Sequence, residues 1–143
     1  MLARNLARPQ PSVPASAPAI EAADMLIRPE VASVLVVDDE GRLVGAISDE
    51  DVLHHILPAY VESSGALARA LEEASVDRLW QRLEDLSVGN IATDVPKVAG
   101  DATLIEVAAM MLLHRRRIVG VVDGDRTIGG ITIDDLLANL RPA

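Results

Sequence analysis

Gly45-Ala46-Ile47-Ser48-Asp49-Glu50-Asp51-Val52-Leu53 reads as the end of a strand, a sharp turn and the first turn of a helix. Gly129-Gly130-Ile131-Thr132-Ile133-Asp134-Asp135-Leu136-Leu137 repeats it 84 positions later. In both copies a Gly precedes two uncharged residues, then a hydroxyl residue, then an Asp three places on. One copy would carry little weight. Two copies in equivalent settings indicate a duplicated unit with two similar pockets.

Working outward from the first copy, Leu43 to Ile47 reads as a strand, and Val34-Leu35-Val36-Val37 as a short β-branched strand before it. Asp38-Asp39-Glu40-Gly41 is a turn between them, so the two strands form a hairpin. Ser48 opens a helix that runs to roughly Leu57, closed by Pro58. Upstream, Ala19, Ile20, Ala23, Leu26 and Ile27 form a helical apolar face, with Pro18 in the first turn and Arg28-Pro29-Glu30 as the stop. Residues 1–18 hold Pro9, Pro11, Pro14 and Pro18 and are expected to be extended and irregular, with a short strand around Ser12–Val13.

The same order of helix, strand, strand, helix returns in the second half. Thr103 and Glu106 match a capping box, and Leu104, Ile105, Ala108, Met111 and Leu112 repeat the first helix's apolar face at an offset of 85. Val121-Val122-Asp123 matches Val36-Val37-Asp38 at that offset, whereas Gly129 follows Gly45 by 84, so the second hairpin turn is one residue shorter. A turn is where duplicated copies best absorb a length change. Residues 58–88 break the pattern. Gly65 to Ala74 and Val76 to Leu86 read as helical, with Trp80 either packed on the unit's own core or exposed as a dimer anchor. The expected organisation is a first copy over 1–57, a helical insert over 58–88 and a second copy over 89–143.

Composition narrows the function. Half of the 143 residues are hydrophobic, yet Trp80 and Tyr60 are the only aromatics, so the core is aliphatic and base-stacking surfaces are missing. The net charge of -9 disfavours general nucleic-acid binding. The chain has no cysteine, which excludes disulfides, Cys-based zinc sites and thiol nucleophiles and fits a cytoplasmic location. No apolar run reaches the roughly 20 residues that span a bilayer, and residues 1–18 lack the apolar region of a secretory signal. There is no P-loop, nucleophile elbow, His-Glu-x-x-His or dinucleotide fingerprint, so no catalytic residue is assigned and no enzyme activity is expected.

The paired segments, Val34–Asp38 with Leu43–Leu53 and Val121–Asp123 with Ile128–Leu137, resemble a tandem pair of cystathionine-β-synthase-type (CBS) motifs, a Bateman module. Each ends in the family pattern of Gly, hydrophobic, any residue, Ser or Thr, any two residues, Asp: Gly45/Ser48/Asp51 and Gly129/Thr132/Asp135. Gly130 departs from the hydrophobic place. The likeness covers about 10 to 57 and 88 to 140. It implies an α+β fold of two pseudo-twofold related halves, each a small mixed, mostly antiparallel sheet with two helices. It further implies clefts between the halves, frequent homodimers, and adenosyl ligands such as AMP, ADP, ATP or S-adenosylmethionine, with Mg2+ beside phosphates. The protein would then be a regulator acting on an unidentified protein target.

On that resemblance Asp51 and Asp135 would hold ribose hydroxyls, and Ser48 and Thr132 would approach a phosphate, an anion for which a helix N-terminus is suited. Val13 and Val98 would wall an adenine, and Gly129 and Ile131 would complete the second site. Against this stands a plain stabilising role: Ser48 with Asp51 and Thr132 with Asp135 are also helix caps. Arg115, Arg116 and Arg117 are either phosphate ligands or cations at a helix C-terminus. His54 and His55 point about 100° apart on a helix, which does not chelate one metal, and no metal site is assigned. Asp49-Glu50-Asp51 gives the first copy the heavier acidic load. The second copy, with the arginines nearby, is therefore expected to be the better nucleotide site.

Overall fold

The computed structural model describes residues 1–57 and 76–142. In chain order the elements are α1 (Ala3–Leu6), β1 (Ser12–Pro14), α2 (Ala19–Leu26), β2 (Ser33–Val37), β3 (Leu43–Ser48) and α3 (Asp49–Ile56). From residue 76 on come α4 (Val76–Gln81), α5 (Val88–Ile91), β4 (Lys97–Ala99), α6 (Leu104–His114), β5 (Ile118–Asp123), β6 (Arg126–Thr132) and α7 (Ile133–Leu140). The helix expected over Gly65 to Ala74 lies outside the described residues. That expected from Val76 to Leu86 ends at Gln81.

The two halves repeat each other closely. Each has a three-stranded sheet, β1-β2-β3 and β4-β5-β6. The first pair of each sheet is parallel and the second antiparallel. The β-bulge falls at Val36/Val37 in one sheet and Val121/Val122 in the other. The α+β fold of two related halves is thus the observed one.

One feature departs from expectation. The leading segment is not irregular throughout: Ala3–Leu6 makes a single helical turn, and Val88–Ile91 repeats it 85 residues on. Neither turn stays with its own half. Ala3 N–H donates to Ala102 O at 2.8 Å and Arg4 N–H to Gly100 O at 2.9 Å. Ala3 and Leu6 are buried beside Val107, Met111 and Ile131 of the second half. In mirror fashion, Val88 N–H donates to Ala17 O at 2.8 Å and Gly89 N–H to Ala15 O at 2.9 Å. Val88 and Ile91 are buried beside Ala22, Val34 and Ile47 of the first half. Each half therefore completes the other's core. Leu35, Leu43, Ala46, Val95 and Ile118 form a third buried cluster, drawn from both sheets.

Helix phase also differs in part from the reading above. On α6, Val107 and Met111 are buried with Leu104 and Ala108 against the same core, but Ile105 and Leu112 are 70% and 78% exposed. On α2, Ala19, Ala22 and Ala23 are buried and Ile27 is exposed. A helix apolar nearly all round has no unique stripe, so periodicity alone cannot say which side meets the sheet. Trp80 is half-buried and packs against the first core.

Candidate functional site

The repeated Gly is where the halves cross. Just before β1, Arg8 exchanges both backbone hydrogen bonds with Gly130, at 3.0 and 2.9 Å. Just before β4, Thr93 does the same with Ala46, at 2.9 Å each. A Cβ on Gly45 would lie 2.8 Å from Thr93 O, and one on Gly129 would lie 2.7 Å from Arg8 O. Gly129 also holds φ +155, and Gly tolerates both the crowding and the dihedral. The motif glycine is thus explained by the close passage of the other half's backbone.

That passage also brings a side chain to each motif Asp. In the first motif Ser48 caps α3: its Oγ accepts from Asp51 N–H at 3.3 Å, and Asp51 Oδ2 accepts from Ser48 N–H at 2.9 Å. The same Oδ2 accepts from Thr93 Oγ1 at 3.1 Å. Thr93 Oγ1 in turn accepts from Arg116 Nη1 at 2.7 Å. A chain of hydrogen bonds, Arg116 to Thr93 to Asp51, thus joins the halves. Asp51 is only 9% exposed, and the two bonds to Oδ2 are partners of the kind a buried carboxylate needs.

In the second motif Thr132 Oγ1 accepts from Asp135 N–H at 3.3 Å. The residue equivalent to Thr93 is Arg8, and its Nη1 lies 3.7 Å from Asp135 Oδ1 in a loose ion pair.

The arginine triplet follows α6. Arg115 caps the helix in the left-handed conformation, φ 52 and ψ 45, where Gly is the usual residue and a side chain costs about 1–2 kcal/mol. Its neighbours tie two regions together. Arg117 O accepts from Ile133 N–H at 2.9 Å, fixing the start of α7. Yet Arg115, Arg116 and Arg117 line a cavity of about 420 Å3 whose opposite wall holds Ser48, Asp49 and Glu50, with residues 26–29 and 31–33 between. The triplet therefore faces the first motif rather than Thr132 and Asp135, which corrects the expected grouping. Arg28 joins it, so among the described residues four arginines line the cavity together with Asp49 and Glu50. Arg116 Nη2 is enclosed without a hydrogen-bond partner, which costs about 1–3 kcal/mol or more for a charged group.

Three expected site residues lie elsewhere. Val13 is buried in the first core and Ile131 in the second, because inward strand positions supply the cores; neither presents a free wall. Val98 is half-buried and borders a separate hollow with α6 residues Ala109, Met110 and Leu113. Thr93 and Arg8 were missed by sequence reasoning. The signal that could have found them is the Gly at the same place in both motifs, which marks a backbone passing close. His55 Nδ1 lies 2.9 Å from Asp51 O. Among the described residues no cluster of three His, Asp or Glu is arranged to hold a metal, and no helix is long and apolar enough to cross a membrane.

Two related three-stranded halves, each with a capped Gly-to-Asp turn crossed by backbone of the other, define a tandem pair of CBS motifs. The CBS domain family model matches residues 3–58 and 83–142, and the chain belongs to that family. CBSX2, a chloroplastic CBS domain-containing protein of Arabidopsis thaliana, is 32% identical over 126 residues, covering 78% of this chain and 50% of its own. The chain thus spans about half the length of that curated relative. A CBS domain-containing protein of Kribbella flavida has a crystal structure at TM-score 0.82 and 29% identity, covering 98% of each chain. The crystal structure of CBSX2 in complex with AMP superposes at TM-score 0.71 with 22% identity, over 97% of this chain and 95% of that one, a likeness of fold.

Proposed function

We propose that this chain is a regulatory, non-catalytic CBS pair. It binds an adenine nucleotide or another adenosyl compound between its halves and passes the bound state to a partner protein. The observation that carries the reading is the Ser48 cleft: a cavity of about 420 Å3 with Arg115, Arg116 and Arg117 opposite a capped helix N-terminus. Paired guanidinium groups suit phosphate oxygens, and N–H groups at a helix start add to that attraction. Support also comes from CBSX2, the 32% identical relative, whose structure is described with AMP. Mg2+ would enter with a polyphosphate ligand. Thr132, Asp135 and Gly129 form a second candidate cleft in this reading, with Arg8 as its cation.

Calorimetric titration with AMP, ADP, ATP and S-adenosylmethionine tests the proposal. Saturable binding, weakened in Arg116→Gln, is the expected result. No heat and no thermal shift across the panel would sink it.

A second reading, a ligand-free interaction module, is favoured by one observation: both motif Asp side chains already meet a partner, Thr93 and Arg8. It predicts motif variants that change stability alone. Assembly as a homodimer belongs to both readings. The exposed Ile105, Leu112 and Leu113 of α6 offer an apolar surface for it, and light scattering of the purified chain decides. A cytoplasmic location completes the proposal and is checked by fractionation.

A further inference from the structure

We infer that Thr93 sets the ligand preference of the Ser48 cleft, making it a reader of the ligand's phosphate rather than of its ribose diol. The inference rests on the proposal that this cleft takes a nucleotide.

Three observations carry it. First, Asp51 is engaged from two sides, by Ser48 N–H and by Thr93 Oγ1, both on Oδ2. At 9% exposure it is withdrawn from the cavity, whose described lining includes Ser48, Asp49 and Glu50 but not Asp51. With Oδ2 taken up, only Oδ1 is left to accept, where a pair of vicinal hydroxyls calls on both oxygens. Second, the hydroxyl that closes off Asp51 also accepts from Arg116 Nη1 at 2.7 Å. Thr93 has one proton to give and two acceptors within reach, Asp51 Oδ2 at 3.1 Å and Ala46 O at 3.4 Å; the carboxylate is the nearer and the charged one. Its lone pair then receives the guanidinium. The acid thus becomes an anchor that holds a cation at the cleft wall. Third, Arg116 lines the cavity beside Arg115 and Arg117. Guanidinium groups so gathered gain from an anion, whereas a neutral sugar offers them less.

The second motif is built otherwise. Arg8 stands in the place of Thr93, and its guanidinium approaches Asp135 at 3.7 Å, without a hydroxyl between. Asp135 keeps 24% of its side-chain surface exposed. Thr93 is therefore a positioning residue peculiar to the first cleft. It touches no ligand itself and acts through Asp51 and Arg116.

Calorimetry with AMP, 2′-deoxy-AMP and adenosine on the full chain tests this, counting the binding event that Arg116→Gln removes. In the wild type, AMP and 2′-deoxy-AMP are expected to bind within about twofold of each other, while adenosine is weaker by at least about tenfold. In Thr93→Val, which keeps the shape and drops the hydroxyl, Asp51 is released and Arg116 loses its seat. AMP then binds more weakly, and preference for the ribose over the deoxyribose appears, about threefold to tenfold, the worth of one hydrogen bond. Thr93→Ser restores the wild-type pattern, which mere destabilisation would not do. A wild-type preference for AMP over 2′-deoxy-AMP of about tenfold or more, or adenosine binding as well as AMP, overturns the inference while leaving nucleotide binding intact; the latter comparison needs no variant that folds. Absence of binding by all three ligands overturns the inference, and silence extended to ADP, ATP and S-adenosylmethionine overturns the proposed function as well.

Discussion

The two motif turns share a backbone and differ in what touches them. In both, a segment from the opposite half pairs with the residue after the motif Gly, at Ala46 and at Gly130. In both, a hydroxyl residue caps the following helix. The residue delivered to the motif Asp, however, is Thr93 in one and Arg8 in the other. The cations differ too: positions 115–117 are three arginines, while their equivalents 30–32 are Glu30, Val31 and Ala32. Duplication has kept the crossing, which both cores need, and has let the side chains at the crossing diverge. The frame belongs to stability, and the difference belongs to recognition.

The frame can be broken first. Leu6→Ala and Ile91→Ala remove equivalent buried side chains from the exchanged turns, 5% and 1% exposed. Each is expected to cost about 2–4 kcal/mol in urea unfolding, the usual range for such truncations. Near-silence of Leu6→Ala, as for a frayed end, would deny the exchange on that side. The motif glycines come next. Gly129→Ala meets Arg8 O at 2.7 Å and an unfavourable φ, while Gly45→Ala meets Thr93 O at 2.8 Å alone. Both should destabilise by about 1–3 kcal/mol, Gly129→Ala more, as read from melting curves. Equal values would remove the role of the dihedral.

Recognition is sharpened by Arg116→Gln, which should weaken AMP binding by about tenfold or more with little change in the second cleft's occupancy, read from calorimetric stoichiometry. Caps give a smaller contrast. Ser48→Ala and Thr132→Ala each lose one hydroxyl acceptor, for Asp51 N–H and Asp135 N–H, while Asp51 keeps its bond from the Ser48 backbone N–H. Each should cost about 1 kcal/mol in melting curves, the two nearly alike. The hairpin turns give the least. Backbone N–H groups of Arg42 and Glu40 and the Arg42 side chain donate to Asp38. The Arg42 N–H foremost holds this carboxyl below its ordinary value of 3.8. A depressed folded-state value stabilises the fold above that ordinary value, and the benefit is lost as pH falls through the folded-state value. Asp38→Asn should therefore flatten the acid limb of a melting-point profile slightly. An unchanged limb counts against the turn's contribution.

Much of this architecture was legible in residues. The β-branched run at Val34 to Val37, the turn at Asp38 to Gly41 and the capping box at Thr103 and Glu106 each act locally, and the structure has all three. The offsets between copies exposed the pseudo-symmetry. What escaped was long-range. One helical turn is too short to show a period, so Ala3–Leu6 was hidden. The half on which such a turn docks is decided by packing partners about a hundred residues away. Likewise the arginines were assigned to the nearer motif in sequence, whereas the cleft at Ser48 is nearer in space. In sequence Val13 reads as an adenine wall and Ile131 as part of the second motif, but strand alternation turns both into the cores.

The exchanged turns also set a timetable for synthesis. In the N-to-C order of synthesis α1 precedes both sheets, but the carbonyl of Ala102 that receives Ala3 comes about a hundred residues later. At ribosomal speeds of about 5–20 residues per second, that is roughly 5–20 seconds of waiting. The first half can close once Ile91 has emerged, since α5 completes its core. The second half stays open until its own last strand is made and the residues of α1 return to it. Residues 3–6, made before either sheet, are thus among the last to find their place.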